Sequence, residues 1–204
     1  MTFKTQALGL FLSALMAAPA FAAVESSGLK VGDKAPAIHQ NDINGTLFDL
    51  TAAEGSGPVV LVFYRGGWCP FCNQQLHDLQ ITAVPFAKKH HAQIVAISVD
   101  KATEEAKTQA KHDLTITILS DTKAELLGAY NVQNHISPEQ YEIYKTKYHL
   151  DLEESSGEKH HIIAIPAVFV MDSLGTIIYA HADSNYKVRA PISEIKAAIV
   201  KAEK

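Results

Sequence analysis

The sequence predicts an α/β fold: a central mixed sheet flanked by helices, with a hairpin near the N-terminus and one helical insertion. Three patterns carry this expectation. Apolar, β-rich runs at 59–64, 94–99 and 115–119 alternate with helix-favouring segments. Two further runs, 167–171 and 176–180, are joined by Asp172-Ser173-Leu174-Gly175, which reads as a β-hairpin. Between these groups, residues 131–161 lose the strand–helix rhythm and read as an insertion between core elements.

Each element has a local cause. Asn44-Gly45 is a strong hairpin turn, and 46–50 supplies a returning strand. The run Val59-Val60-Leu61-Val62-Phe63-Tyr64 is apolar without alternation, which suits a central strand covered on both faces. Arg65-Gly66-Gly67 ends it. Residues 70–90 are helical in pattern, with Leu76, Leu79, Ala83 and Phe86 near one face and Pro85 expected to kink or interrupt the helix. Helices are also expected at 102–112 and 123–130. In the insertion, Ser137 is a helix N-cap with Pro138 at the first helical position. Tyr141, Tyr144 and Tyr148 then share one face, expected to pack within the insertion. A closing amphipathic helix over 192–201 turns Ile192, Ile195, Ile199 and Val200 inward.

The first 22 residues differ from the rest. Lys4 sits in a short n-region, 7–20 is an apolar run without charge, and Ala20-Phe21-Ala22 is a small-residue cleavage site. This pattern is that of a secretory signal peptide, too short for a spanning helix, so the mature domain is expected from residue 29 to 204 and outside the cytoplasm, in the periplasm of a cell that has one. No other apolar stretch is long enough to span a bilayer, so no membrane association is expected after cleavage. The chain carries 18 Lys+Arg against 22 Asp+Glu, and an acidic balance of −4 argues against nucleic acid as a partner.

Two cysteines, Cys69 and Cys72, are the whole cysteine complement. As a structural disulfide the pair would close a very small loop and constrain little of the unfolded chain. The spacing favours a redox pair. Trp68-Cys69-Pro70-Phe71-Cys72 follows a buried strand and a Gly-Gly turn and opens a helix. Pro70 fits the first helical position, which puts Cys69 at the N-cap or just before it. Free N–H groups and the positive end of the helix dipole favour its thiolate, the attacking species in thiol chemistry.

With these residues in place, the sequence resembles the thioredoxin superfamily, specifically the peroxiredoxin-like branch of the alkyl hydroperoxide reductase/thiol-specific antioxidant family. The likeness spans 29–130 and 162–201. Val31-Gly32-Asp33-Lys34-Ala35-Pro36 is similar to that family's entry segment, 63–72 to its active-site strand and turn, and 165–172 to the loop and strand after the thioredoxin cis-proline. The resemblance implies that Pro166 is cis and packs against the cysteines. Matched to peroxiredoxins, Cys72 takes the peroxidatic position, Cys69 replaces a Thr, Arg65 replaces a Pro, and Pro166 stands where a supporting Arg is found. Matched to thioredoxins, Cys69 is the nucleophile and Cys72 the resolving thiol, while Phe63 stands where a buried Asp is found.

The leading expectation is thiol–disulfide exchange in redox homeostasis or antioxidant defence. Cys69 attacks, Cys72 resolves, Pro166 shapes the groove, and Trp68 and Arg65 tune it. Partners are a protein or small-molecule disulfide or thiol, a hydroperoxide, and an external reductant or oxidant protein. No cofactor or resident metal is expected. Two alternatives stay open: a thiol peroxidase with Cys72 peroxidatic, and a copper chaperone using Cys69, Cys72 and His160 or His161, thiolate and imidazole being suitable soft and borderline ligands.

Overall fold

The computed structural model describes residues 27–53 and 56–203. The secretory leader expected at 1–22 lies outside the described residues.

The N-terminal hairpin pairs β1 (His39–Asn41) with β2 (Leu47–Asp49), turning at Asn44-Gly45, and a short α1 (Leu50–Ala53) follows. The centre of the molecule is β3 (Val59–Phe63), fully buried along its length. Parallel to it run β4 (Gln93–Ser98) and then β5 (Thr117–Ser120). On its other side β8 (Ala167–Met171) and β9 (Ile177–Ala182) pair antiparallel, giving the order β5-β4-β3-β8-β9. The mixed central sheet expected from the sequence is therefore present.

Alternate residues of β3 face opposite layers, which is why its apolar run is unbroken. Leu61 and Phe63 join Val95, Ile97, Phe169 and Tyr130 on one face. Val60 and Val62 join Leu76, Leu79, Ile195 and Ile199 on the other. The crossover from β3 to β4 is α2 (Pro70–Asp78), a π-helical turn (Leu79–Ala83) and α3 (Val84–Lys89). Pro85 does not end this helix. The N–H of Val84 reaches back five residues to the Leu79 carbonyl, and the widened turn accommodates a residue that has no N–H of its own.

Helix α4 (Ala102–Lys111) links β4 to β5, and α5 (Glu125–Ala129) follows. The insertion contains β6 (Gln133–His135), α6 (Pro138–Lys147) and α7 (Leu152–Ser156), and β6 pairs with β7 (Ile162–Ala164). Ser137 caps α6 in a full capping box with Gln140. The insertion is tied to the sheet end: the Lys101 N–H donates to the Ser155 carbonyl and the Lys101 ammonium to the Glu154 carbonyl.

Two expectations are corrected. The Ile165–Pro166 peptide is trans, and no cis peptide bond occurs among the described residues. The chain runs extended from β7 into β8, held by the Ile165 N–H on the Val132 carbonyl and the Asp183 N–H on the Pro166 carbonyl. In the closing helix α8 (Ile192–Ala202), Ile195, Ala198, Ile199 and Ala202 face inward, whereas Val200 is exposed. The inward stripe is set by the i, i+3, i+4 spacing from Ile195, which leaves position 200 outside. Among the described residues, no helix is long and apolar enough to cross a membrane.

Burial separates two neighbouring residues sharply here. Ile199→Ala should lower stability by about 2–4 kcal/mol, read from the urea midpoint, while Val200→Ala should change it by less than about 0.5 kcal/mol.

Candidate active site

The site forms where β3 ends and α2 begins. Cys69 is the N-cap of α2, with extended backbone, and Pro70 takes the first helical position. The turn before it is demanding. Gly66 has φ +145°, and a Cβ there would lie 2.3 Å from Trp68 Nε1 and 2.6 Å from an Asp100 carboxylate oxygen. A Cβ on Gly67 would lie 1.9 Å from the Thr108 hydroxyl. Two glycines therefore let the turn sit directly on α4 and the end of β4.

Both cysteines are free thiols and both are buried, Cys69 at 1% exposure and Cys72 at none. Their environments push them apart. The Cys69 thiol is pulled down to about 6, first by the hydrogen bond from the Cys72 thiol, then by the Cys72 backbone N–H, Arg65 and Arg189, against the opposing effect of burial. Cys72 is pushed up by its own burial, by the proton it shares with Cys69 and by the charge on Cys69. One sulfur is thus poised as the anion and its neighbour as the proton holder.

Two guanidinium groups flank the pair. Arg65 Nη1 lies 4.0 Å from Cys69 Sγ, and Arg189 Nη2 lies 3.3 Å from Cys72 Sγ while its Nη1 donates to the Gln75 side-chain oxygen at 3.1 Å. Arg189 is thus closer to the thiol with the higher pKa. Its partner in the neutral state is a weak sulfur acceptor, which becomes a strong one if Cys72 loses its proton. Arg65 is itself caged. Its guanidinium is 4.9 Å from the Trp68 ring, 4.3 Å from Tyr186 and 5.9 Å from Tyr144, and its Nη2 donates to the Tyr144 hydroxyl at 2.7 Å.

Behind the turn lies a buried acid pair. Asp100 accepts from the Gly67 N–H at 2.9 Å, the Trp68 indole N–H at 3.3 Å and the Ser155 hydroxyl at 2.8 Å. Burial pushes it up to about 6 in spite of these donors. Glu105, on the inner face of α4, is hydrogen-bonded to the Tyr64 and Ser98 hydroxyls and is pushed up to about 8 by burial and by Asp100. A cleft of about 350 Å³ opens beside Asp100, lined in part by Trp68, Thr108 and Ser155.

Among the residues singled out from the sequence, Cys69, Cys72, Trp68 and Arg65 converge. Pro166 is buried and lies one residue before Ala167, which pairs with Phe63, so it sits at the same end of the sheet. The histidines do not converge. His160 Nε2 lies 2.7 Å from the Thr122 carbonyl oxygen, and His161 is bonded to Glu153 at 2.8 Å and stacked on Tyr141. Among the described residues no group of three or more His, Cys, Asp or Glu is placed to hold a metal ion, so the Cys-Cys-His set of a copper chaperone is not assembled. The tyrosine stripe divides. Tyr141 packs within the insertion, Tyr148 is exposed, and Tyr144 reaches the active-site arginine, contrary to the expectation of packing alone.

Sequence reasoning missed Arg189, Asp100, Glu105, Tyr186 and the reach of Tyr144. An acid on the inner face of an amphipathic helix, as Glu105 is, and an acid at the C-terminal end of a buried parallel strand, as Asp100 is, were visible signals. Arg189 and Tyr186 carried none.

Two buried thiols at the start of a helix, on a sheet of this topology, place a Cys-x-x-Cys turn on a thioredoxin fold. The comparisons narrow the class. The AhpC/TSA family model matches residues 31–180, and the chain belongs to that family. Peroxiredoxin Bcp of Bacillus subtilis is 28% identical over 104 residues, 51% of this chain and 65% of its own length, so the match spans just under two thirds of that relative. Among solved structures, peroxidoxin BcpB of Mycobacterium tuberculosis superposes with a TM-score of 0.64 at 20% identity, covering 86% of this chain and 99% of its own. The bacterioferritin comigratory protein of Xanthomonas campestris, solved for insight into its alkyl peroxide reduction activity, gives 0.63 at 18% identity, covering 82% and 92%.

Glu105 fixes the sign of a pH effect. Its folded-state pKa is raised, so the folded protein holds a proton that the unfolded chain releases above the ordinary glutamate value. Stability attributable to this group is full below about 4.5 and is lost as pH rises toward 8. Glu105→Gln keeps the shape and removes the titration. Its stability advantage over wild type should grow between about pH 5 and pH 8 in paired urea melts and level off above that range.

Proposed function

We propose that this chain is a two-cysteine thiol peroxidase in which Cys69 attacks the peroxide and Cys72 resolves. The observation that carries it is the pair itself: Cys69 at a helix N-cap, its pKa lowered by the hydrogen bond from a neighbouring thiol one turn away. Membership of the AhpC/TSA family supports a hydroperoxide as oxidant and a thioredoxin-like dithiol as reductant.

The first step is displacement at oxygen. The Cys69 thiolate attacks the terminal oxygen of R–O–O–H, an S–O bond forms, the O–O bond breaks, and RO⁻ leaves to be protonated as ROH. Cys69 is then a sulfenic acid. That step removes the charge and the hydrogen bond that held the Cys72 proton in place, while Arg189 stays 3.3 Å from its sulfur. Cys72 therefore ionises more readily after the first oxidation than before it. Its thiolate attacks the Cys69 sulfur, the S–S bond forms and the S–O bond breaks, with hydroxide leaving as water. An external dithiol returns the disulfide to two thiols by exchange.

Thiol–disulfide exchange is thus the reductive half of the cycle, and the Trp-Cys-Pro-Phe-Cys turn suits it. The leader read at 1–22 would place this chemistry outside the cytoplasm.

The roles separate in stopped flow with reduced protein and hydrogen peroxide. Cys72→Ser should still lose the Cys69 thiol, accumulate a sulfenic acid trapped by dimedone, and fail to turn over with a dithiol. Cys69→Ser should react at least about 100-fold more slowly than wild type, because the remaining thiol is protonated and buried. Fast oxidation that survives Cys69→Ser and disappears in Cys72→Ser would instead assign the attack to Cys72.

A further inference from the structure

Cys69 has no exposed face to offer, and what closes over it comes from three separate segments. Arg65 belongs to the active-site turn and is only 7% exposed. Tyr186 reaches in from the loop before α8, and Tyr144 from α6 of the insertion. Trp68 completes the cage and lies 6.3 Å from the Tyr144 ring. Arginine has five donors and a long flexible stem, so its position above a sulfur is undetermined unless something fixes it. Of the three aromatic side chains, Tyr144 alone gives the guanidinium a hydrogen-bond acceptor, at 2.7 Å, on the nitrogen opposite the one that faces Cys69.

The geometry points to Tyr144 as a positioning residue of this active site: its hydroxyl holds the Arg65 guanidinium against Cys69, which makes the insertion a working part of the thiol centre. This deepens the peroxidase reading and rests on it only for the identity of the oxidant. A hydroxyl that accepts from Nη2 leaves Nη1 directed at Cys69 Sγ. Without that anchor, the ring contacts still hold Arg65 nearby but do not fix which way its donors point.

The insertion has the rigidity for this task. Its helix α6 starts on a capping box, and the Tyr141 hydroxyl and Lys145 ammonium both bind Asp151, which itself caps α7. Ser155 of α7 donates to Asp100, the same carboxylate that holds the Gly67 N–H. The insertion is therefore anchored to the active-site turn from behind and touches Arg65 from in front.

The titratable and charged groups facing Cys69 are Cys72 from α2, Arg65 from the turn and Arg189 from the loop before α8. Tyr144→Phe removes one oxygen and keeps the ring. The thiolate of reduced protein, followed by absorbance at 240 nm against pH, should then titrate at higher pH than in wild type. The peroxide rate should fall roughly threefold at about pH 6 and recover to the wild-type value at about pH 9, where Cys69 is ionised in both proteins. A merely structural role would instead lower the rate by the same factor at every pH and lower the melting temperature. In an Arg65→Gln background, Tyr144→Phe should have no further effect on the thiolate titration, because the tyrosine acts through that arginine.

Overturning results are equally plain: an unshifted thiolate titration in Tyr144→Phe, or a shift that persists undiminished in Arg65→Gln. The titration needs no peroxide, so the two readings fail separately. A shifted titration in a protein inert to peroxide would sink the peroxidase and leave the role of Tyr144 standing.

Discussion

A sulfur that must give up its proton while held away from water is the constraint from which the rest of this site follows. Cys69 is almost wholly buried, and burial alone would keep it protonated. Four things reverse that preference: a helix N-terminus, the Cys72 proton, and two guanidinium groups. Each brings its own requirement. The helix must start at position 69, which needs Pro70 after it and a glycine turn before it. The arginines, Arg65 buried and Arg189 half-buried, need acceptors and aromatic faces. Tyr144, Trp68 and Tyr186 meet that need for Arg65, and Gln75 does so for Arg189.

The same logic explains why acids stand behind the turn and not beside the sulfurs. Asp100 is committed to the Gly67 and Trp68 N–H groups and to Ser155, so its oxygens serve geometry. Glu105, buried deeper, is held neutral near pH 7 by the apolar surroundings and the nearness of Asp100. Holding this proton costs stability at neutral pH, as buried acids at functional sites commonly do.

Local patterns were legible in the sequence, and long-range ones were not. The unbroken apolar run of β3, the Asn44-Gly45 turn, the Ser137 cap and the N-cap position of Cys69 are each decided within a few residues, so each could be read directly. Pro85 was read correctly as a disturbance, but the π-turn beside it, whose Leu79 and Ala83 pack in one cluster with Ile195 and Ile199 of α8, was not legible. Arg189 meets Cys72 across 117 positions and Tyr144 meets Arg65 across 79. No periodicity encodes such contacts; they exist because the sheet order brings the α2 start, the insertion and the loop before α8 to one end. His160 and His161 failed in the opposite sense. They lie near the right strand in sequence, but backbone and carboxylate partners on neighbouring segments take up their rings.

By the resemblance to peroxiredoxins, three positions of the site differ: Arg65 stands for a proline, Cys69 for a threonine, and Pro166 for an arginine. With Pro166 at the mouth of β8, no cation comes from that strand, and the positive charge is supplied instead from the turn by Arg65 and from the far loop by Arg189. Replacing the threonine by a cysteine puts a second thiol at the helix N-cap itself, where ionisation is most favoured. Cys72, one turn inside, then becomes the proton holder. The Cys72 thiol donates to Cys69 from one turn inside the helix, a placement that suits the bridge of the proposed cycle. The fold persists at about 20% identity because its demands are on apolar pattern and strand order. The site's demand is for positive charge near the sulfurs, and here two segments deliver it, the turn through Arg65 and the loop before α8 through Arg189.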